Sequence, residues 1–422
     1  MLISGKSQIV RGNLMRLIYG PRQCLLTTYR MVCPFQIADV NDETVKFEIG
    51  TSSIGNQKIK FHEFSLTKPD TQPRAFVSCM SRMIAFENWA LFLVQIETFR
   101  YYGGSLMVAY VECGIKKVYE LMKIYENDGI LKIKKAYKAS EIPNIPYDPD
   151  TQTEYANQMT NSHMCLYEFK ESAEFIAFAD WDDILVGPNF GQQQIAFAES
   201  FRKLSVAYPF AAAFSIPRFP FVNKNAFRPK RNKFSLKQLF TQLHFSINPV
   251  PPKMVVRPEY VAGVWIHRLI YAESEKYQQI NVASEMAALL HLKNLILDEW
   301  ETEVNFNEVI YPKNGSLLID GKVLQQNMEN MFEKYNFTFD PFLYSHSQIF
   351  NKLIYKCYAP IEKAAQDDSL MICPTHKACI YPEQNVTVIK VKTTHKSSKT
   401  IGGLIWHERE NVNFVESKEG CL

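Results

Sequence analysis

The stretch Phe175-Ile-Ala-Phe-Ala-Asp-Trp-Asp-Asp-Ile-Leu-Val-Gly-Pro188 joins an apolar run to three carboxylates, Asp180, Asp182 and Asp183. A short apolar run bounded by a turn signal reads as a buried strand. Carboxylates this close repel one another, so keeping them ionised at a strand end costs stability unless a cation lies among them. A hard divalent ion with oxygen ligands removes that cost. The plainer alternative is a turn whose acids face water or cap a following helix.

Upstream, the pattern places this strand in a sheet. Ala75-Phe-Val-Ser-Cys reads as another buried strand, and Trp89, Phe92, Leu93, Ile96 and Phe99 then recur at helical spacing. Gly103 and Gly104 stop that helix. Leu106-Met-Val-Ala-Tyr-Val follows as a strand, and Ile115, Val118, Leu121, Met122 and Tyr125 mark one face of a second helix. Ile130 to Ala136 partly alternates and reads as a third strand, and Glu154 to Tyr167 as a polar helix. Strand, helix, strand, helix, strand in that order predicts an α/β domain, a parallel sheet with helices on both faces. Such sheets bind ligands outside the carboxyl ends of their strands.

The rest of the chain is less regular. Residues 1 to about 70 form a poorly periodic lead-in with strand-like pieces such as Val45-Lys-Phe-Glu-Ile. Trp300 to Lys334 is mixed, and the tail from Lys390 is Lys/Thr/Ser-rich and reads as mobile. The expected organisation is a divergent N-terminal region over 1–70, a catalytic domain over 71–300 and a C-terminal extension over 301–422.

Composition narrows the class. Hydrophobic residues make up 46% of the 422 and charged residues 22%, a globular balance. The net charge of +3 supplies no field of the kind a nucleic-acid binder needs. The basic run Lys224 to Lys237 reads as a solvated loop, and the aromatics of Ile216-Pro-Arg-Phe-Pro-Phe as core. Nine cysteines contain no C-x-x-C pair, which argues against zinc, and Cys357, Cys373 and Cys379 suit a disulfide-bearing C-terminal region. An odd total leaves one thiol free or paired between chains. The sequons Asn314-Gly-Ser, Asn336-Phe-Thr and Asn385-Val-Thr lean toward a secretory lumen. No run approaches the roughly 18 apolar residues that span a bilayer, and Met1 to Arg30 holds no signal-peptide core.

Two enzyme chemistries use such a tetrad. In nucleotide-sugar transfer, a divalent ion bridges the two phosphates and neutralises the leaving group. In phosphatases of the haloacid-dehalogenase type, the first Asp is a nucleophile and the second a general acid. Ile184, where Thr or Val is usual, and the position far along the chain argue against the phosphatase.

With these residues in view, the chain resembles glycosyltransferase family 92 from about Ala75 to Asn294. Five blocks carry the likeness in order. Phe76-Val-Ser-Cys-Met-Ser with Glu87-Asn-Trp89 comes first, then Tyr101-Tyr-Gly-Gly-Ser-Leu-Met-Val-Ala-Tyr. Asn161 to Tyr167 with Phe175 to Asp183 is the third. Lys253-Met-Val-Val-Arg-Pro-Glu-Tyr-Val with Val264-Trp-Ile-His is the fourth, and Ala288-Leu-Leu-His-Leu-Lys the last. The departures are Leu292-Lys293 for a Tyr-Arg pair, Trp181 for a smaller aliphatic residue and Asp183 for Glu. The transmembrane anchor usual in relatives is not visible here.

The resemblance implies a GT-A-like fold and a divalent metal, usually manganese. It also implies transfer of galactose from UDP-galactose to a glycan acceptor with inversion, and a Golgi or other secretory setting with membrane anchoring in relatives. Asp182 and Asp180 are the candidate metal ligands of the acid cluster, and the resemblance adds His291, which on an apolar helix would otherwise read as a core residue. Asp180, Asp183, Arg257, Glu87 and Gly103 are candidates for donor binding. For the base, Asp298, Glu299 and His267 are candidates. A non-catalytic glycan-binding relative is the alternative that the altered closing motif admits.

Overall fold

The computed structural model describes residues 2–5, 8–17, 23–35, 47–50, 61–139, 142, 145–186, 196–221, 234–242, 245–246, 248–284, 286–292, 310–311, 319–338, 349–367, 372–399 and 405–422. Its centre is a nine-stranded sheet. In chain order the strands are β1 (Arg74–Met80), β2 (Leu106–Val111), β3 (Leu131–Lys135), β4 (Ala173–Ala179), β5 (Asp183–Val186), β6 (Ala211–Pro220), β7 (Val250–Val256), β8 (Gln278–Asn281) and β9 (Ala288–His291). The spatial order is β3-β2-β1-β4-β7-β6-β9-β5, with β8 also on β6.

From β3 to β4 every pairing is parallel. The chain winds outward from β1 through β2 to β3 and then returns to place β4 on the other side of β1. That reversal makes a topological switch point between β1 and β4, where a crevice opens at the carboxyl ends of the strands. Asp180 follows β4 directly. β7 runs antiparallel to both β4 and β6, while β6 runs parallel to β8 and β9.

Side-chain alternation along β1 and β4 feeds two cores. Phe76, Phe175 and Ala177 face the helices α1 (Trp89–Tyr101), α2 (Lys116–Asn127) and α4 (Phe197–Ala207). Val77, Cys79, Ile176 and Phe178 face α3 (Gln158–Phe169) and the strand Val261–Trp265. The predicted α/β sheet, covered on both faces, is what forms.

The helix starts and stops follow local chemistry. Asn88 caps α1 by accepting from Leu91 N at 3.0 Å. After α1, Gly103 takes φ +68°, and a Cβ on Gly104 would lie 2.2 Å from the Phe99 ring. The polar segment expected to be helical from Glu154 begins as a 3₁₀ turn, Glu154–Asn157, before α3.

Two expectations are corrected. His291 lies on a strand, β9, not on a helix, because Ala288 to His291 pairs with β5. The tail from Lys390 is strand: Val388–Lys399 and Ile405–Ser417 form a long hairpin whose first arm extends Cys113–Ile115. The cysteines at 357–379 carry disulfides, as expected of the C-terminal region. Cys357 pairs with Cys379, but Cys373 reaches back to Cys24, and Cys113 holds Cys421. Cys79–Cys165 joins β1 to α3, and Cys33 is the free thiol. Cys24–Cys373 and Cys113–Cys421 thus join segments 349 and 308 positions apart in sequence.

Candidate active site

Asp180 to Asp183 is a tight turn linking β4 to β5, closed by Asp183 N donating to Asp180 O at 3.0 Å. Trp181 fastens it. Its indole is buried against Phe86 and Phe92, and Nε1 donates to Ser81 O at 2.8 Å. With Trp181 turned inward, the flanking acids keep some surface: the side chains of Asp180 and Asp182 are 30% and 21% exposed. Asp183 is fully buried.

The pairing of β5 with β9 sets His291 directly across from Asp183. His291 Nδ1 lies 3.0 Å from Asp183 Oδ1 and 3.5 Å from Asp182 Oδ1. Leu292 N donates to Asp182 O at 2.7 Å, which holds the turn against the end of β9. One ligand atom each from Asp182, Asp183 and His291 lie within 4.8 Å of one another. Two carboxylates and an imidazole form a donor set that suits a divalent transition ion, so the residues fit the metal implied by the sequence. The triad includes Asp183 where the sequence reading had Asp180, because the Asp180 carboxylate is held by Lys253.

Two cations reach the cluster from the sheet itself. Lys253, on β7 and 1% exposed, bonds to Asp180 and lies 3.6 Å from Asp183 Oδ2. Arg218 Nε donates to Asp183 Oδ1 at 2.6 Å, and its Nη2 lies 2.8 and 2.9 Å from the two ring nitrogens of His291. Between Ile216 and Arg218 the β6–β7 register slips by one: Pro217 faces both Pro251 and Pro252 of β7, and none of the three has an N–H for the ladder. Such a bulge re-aims the next side chain. These cations answer the repulsion that the bare sequence seemed to assign to a metal.

Burial works against ionised Asp183, but Lys253, His291 and Arg218 together hold its carboxyl well below the usual carboxylate range. Burial also works against a charged Asp180, and Lys253 outweighs it, lowering that carboxyl as well. For His291 burial favours the neutral ring, yet Asp182 and Asp183 overcome it and push the pKa up to about 9. Gln95, buried on α1, donates to Asp183 O at 2.8 Å and fixes the backbone of the turn.

The other candidate residues divide. His267 is brought in: burial lowers its pKa, and the charges acting on it include Lys253, Asp180 and Arg218. Its Nδ1 donates to Pro252 O at 2.6 Å. Glu87 stands at the carboxyl edge, but its oxygens accept from Ile349 N, Phe350 N and Asn351 N at 2.7 to 3.0 Å. It holds the start of the helix Ile349–Gln366. Burial, opposed by those bonds, raises its pKa to about 7.

Arg257 and Gly103 are not brought to the cluster. Arg257 follows Val256, which pairs with Ile176, four residues before Asp180 and so about 13 Å down the strand. There it packs over the Tyr260 ring and donates to Pro209 O. Gly103 lies just before β2, at the amino edge. Asp298 and Glu299 lie outside the described residues.

Arg218 and Lys253 are the site residues that sequence reading missed. Arg218 was quoted only within an aromatic stretch. The available signal was a single cation beside an apolar strand run, Lys253 before Met254-Val-Val, which a buried strand carries only with a partner.

The chain has relatives among known proteins. The profile described as glycosyltransferase family 92 matches residues 74–365. Among curated proteins, one glycosyltransferase family 92 protein of Caenorhabditis elegans is 26% identical over 403 residues, covering 91% of this chain and 74% of the relative. A second from the same organism is 25% identical over 370 residues, covering 83% and 70%. Among solved structures, S. aureus TarS 1–349 in complex with UDP aligns over 51% of this chain and 59% of its own, with 10% identity and a TM-score of 0.30. The family match reaches from β1 through the helix that Glu87 caps and takes in every residue of the acid cluster and its cations, so this chain belongs to glycosyltransferase family 92.

Proposed function

We propose that this chain is a metal-dependent, inverting glycosyltransferase that moves a hexose, galactose by family resemblance, from a uridine diphosphate sugar to a glycan acceptor. The observation that carries the reading is the Asp182, Asp183 and His291 triad at the carboxyl edge beside the switch point, in a chain of this family. A divalent ion there, manganese in this reading, supplies Lewis-acid neutralisation of the departing diphosphate.

The chain's own residues account for the remaining work. Lys253 pins Asp180, leaving its second oxygen to orient the donor ribose. Trp181 and Gln95 hold the turn so that the carboxylates do not move when charge develops. His267 is the base that the described residues offer. Its Nδ1–H is committed to Pro252 O, so Nε2 carries the lone pair, and burial keeps the ring neutral. A neutral imidazole takes the acceptor hydroxyl proton as that oxygen attacks the anomeric carbon from the face opposite the diphosphate.

Four disulfides and the exposed sequon residues Asn336 and Asn385 support an oxidising secretory lumen, with the Golgi as the family expectation. Among the described residues, no helix is long and apolar enough to cross a membrane.

The test is calorimetric titration with uridine diphosphate and a panel of its sugars, with and without manganese, on the native chain and on Asp182→Asn. Binding that requires manganese and disappears in Asp182→Asn is the expected result, and the tightest sugar nominates the donor. A folded native chain that binds none of them under either condition overturns the reading in favour of a non-catalytic relative.

A further inference from the structure

We propose that Arg218 is a latch on the triad: it occupies the ligand atoms of Asp183 and His291 when the site holds no ion, and it moves onto the donor's diphosphate when ion and nucleotide enter together. The second half of this inference rests on the nucleotide-sugar reading; the first half does not.

The geometry of one side chain carries the argument. An ion held by the triad needs a lone pair from Asp183 and one from His291. Arg218 stands in that place, with Nε donating to Asp183 Oδ1 at 2.6 Å and Nη2 2.8 and 2.9 Å from Nδ1 and Nε2 of His291. A guanidinium stays charged at every relevant pH, so it and a divalent ion would repel if both stayed on these groups. The two cations are alternatives there.

Lys253 is different. It is 1% exposed, bonds to Asp180 outside the triad, and faces Asp183 through Oδ2 at 3.6 Å, not through the Oδ1 that Arg218 and His291 meet. Lys253 can therefore remain when an ion enters. Arg218 has somewhere to go. It lies just past the register shift against β7, where β6 turns from fully buried to half-buried, and its side chain is 11% exposed. Its planar fork matches a pair of phosphate oxygens as well as it matches a carboxylate. The consequence is a coupled site. The ion alone must displace Arg218 with no new partner for it, whereas ion plus diphosphate gives the released guanidinium an anion to bind.

The experiment measures manganese binding without nucleotide, and uridine diphosphate binding at saturating manganese, on the native chain, Arg218→Gln and Arg218→Lys. Arg218→Gln is expected to bind manganese alone about ten-fold more tightly and uridine diphosphate about ten-fold more weakly, the scale of one charge-assisted bond. Arg218→Lys, which keeps the charge but loses the fork, falls between the native chain and Arg218→Gln on both axes, and it carries the test if Arg218→Gln does not fold. Opposite signs on the two axes are the signature. Unchanged manganese affinity overturns the latch, and so does a parallel loss on both axes, which would make Arg218 a brace of the fold. Should the native chain bind no nucleotide while Arg218→Gln still tightens manganese, the transferase reading fails and the latch on the ion stands.

Discussion

Two buried carboxylates at the carboxyl edge of the same sheet are treated differently. Glu112 follows β2 and is met by Arg82 at 2.5 Å and by Lys377 at 2.7 Å. His376, 3% exposed, packs beside them, and burial with the Lys377 charge pushes its pKa down to about 3, so it is neutral. Asp183 is met by Arg218, Lys253 and His291, but it has Asp180 and Asp182 for neighbours, both partly open to solvent. At Glu112 one acid faces two permanent cations inside a closed cluster. At Asp183 three acids face two permanent cations, and His291 holds a proton that makes up the difference. The first arrangement leaves nothing for a ligand to do. The second has a proton that an incoming ion can replace, which is how metal sites bind.

The tethering of the two clusters differs as well. Lys377 and His376 come from the C-terminal part of the chain, and Cys113, the residue after Glu112, is joined to Cys421. Val391 N donates to Glu112 O at 2.7 Å. Glu112 is therefore the polar pin of the C-terminal extension. The largest expected effect follows from breaking it. Glu112→Gln removes the carboxylate that Arg82 and Lys377 face and should cost about 3–5 kcal/mol in urea unfolding. A loss within the range of an ordinary surface substitution would erase the distinction drawn here.

The same pin sets a pH dependence of similar or slightly smaller size. Burial alone would raise the Glu112 pKa, but Arg82, Lys377 and His376 outweigh it and bring it from 4.5 to about 2. A depressed carboxyl pKa contributes stability that is complete above the unfolded value and is lost as pH falls through the folded one. Between pH 4.5 and 2, the native chain should lose about 3 kcal/mol from this group. Unfolding curves at pH 5 and pH 2.5 check it. Glu112→Gln should remove that part of the acid sensitivity, and a native-like slope in the variant would assign the loss to other groups.

The contrast also shows what one sequence can display. The strands and helices from Ala75 to Asp183 were legible because each is a local pattern: apolar runs for β1, β2 and β4, helical spacing in α1 and α2, glycines after α1. The acid turn was legible for the same reason. His291 could be singled out only through the family likeness, and its element was misread, since Ala288-Leu-Leu-His fits a buried strand or helix equally well. The partners were not legible at all. Asp183 and His291 meet through a strand pairing across 108 positions, and Arg218 reaches them through a bulge. Lys377 finds Glu112 because a disulfide and a hairpin return the C-terminus to β2. Register between distant strands is set by the assembled core, and it leaves no trace in either strand read alone.

The smallest expected effect on stability falls where the largest effect on binding is expected. Asp182 is partly exposed, its ion contact in the cluster is His291 at 3.5 Å, and it is one of three carboxylates that repel each other. Asp182→Asn gives up an attraction to His291 and relieves a repulsion from its two neighbours, so its unfolding free energy without ligand should stay within about 1 kcal/mol of the native chain. An ion that binds only the folded state raises apparent stability by mass action, by about 2.7 kcal/mol at one hundred times its Kd. Adding manganese should therefore shift the melting of the native chain and leave Asp182→Asn where it was. If the variant melts far below the native chain in the absence of ion, Asp182 is a structural acid like Glu112, and the two clusters are not different in kind.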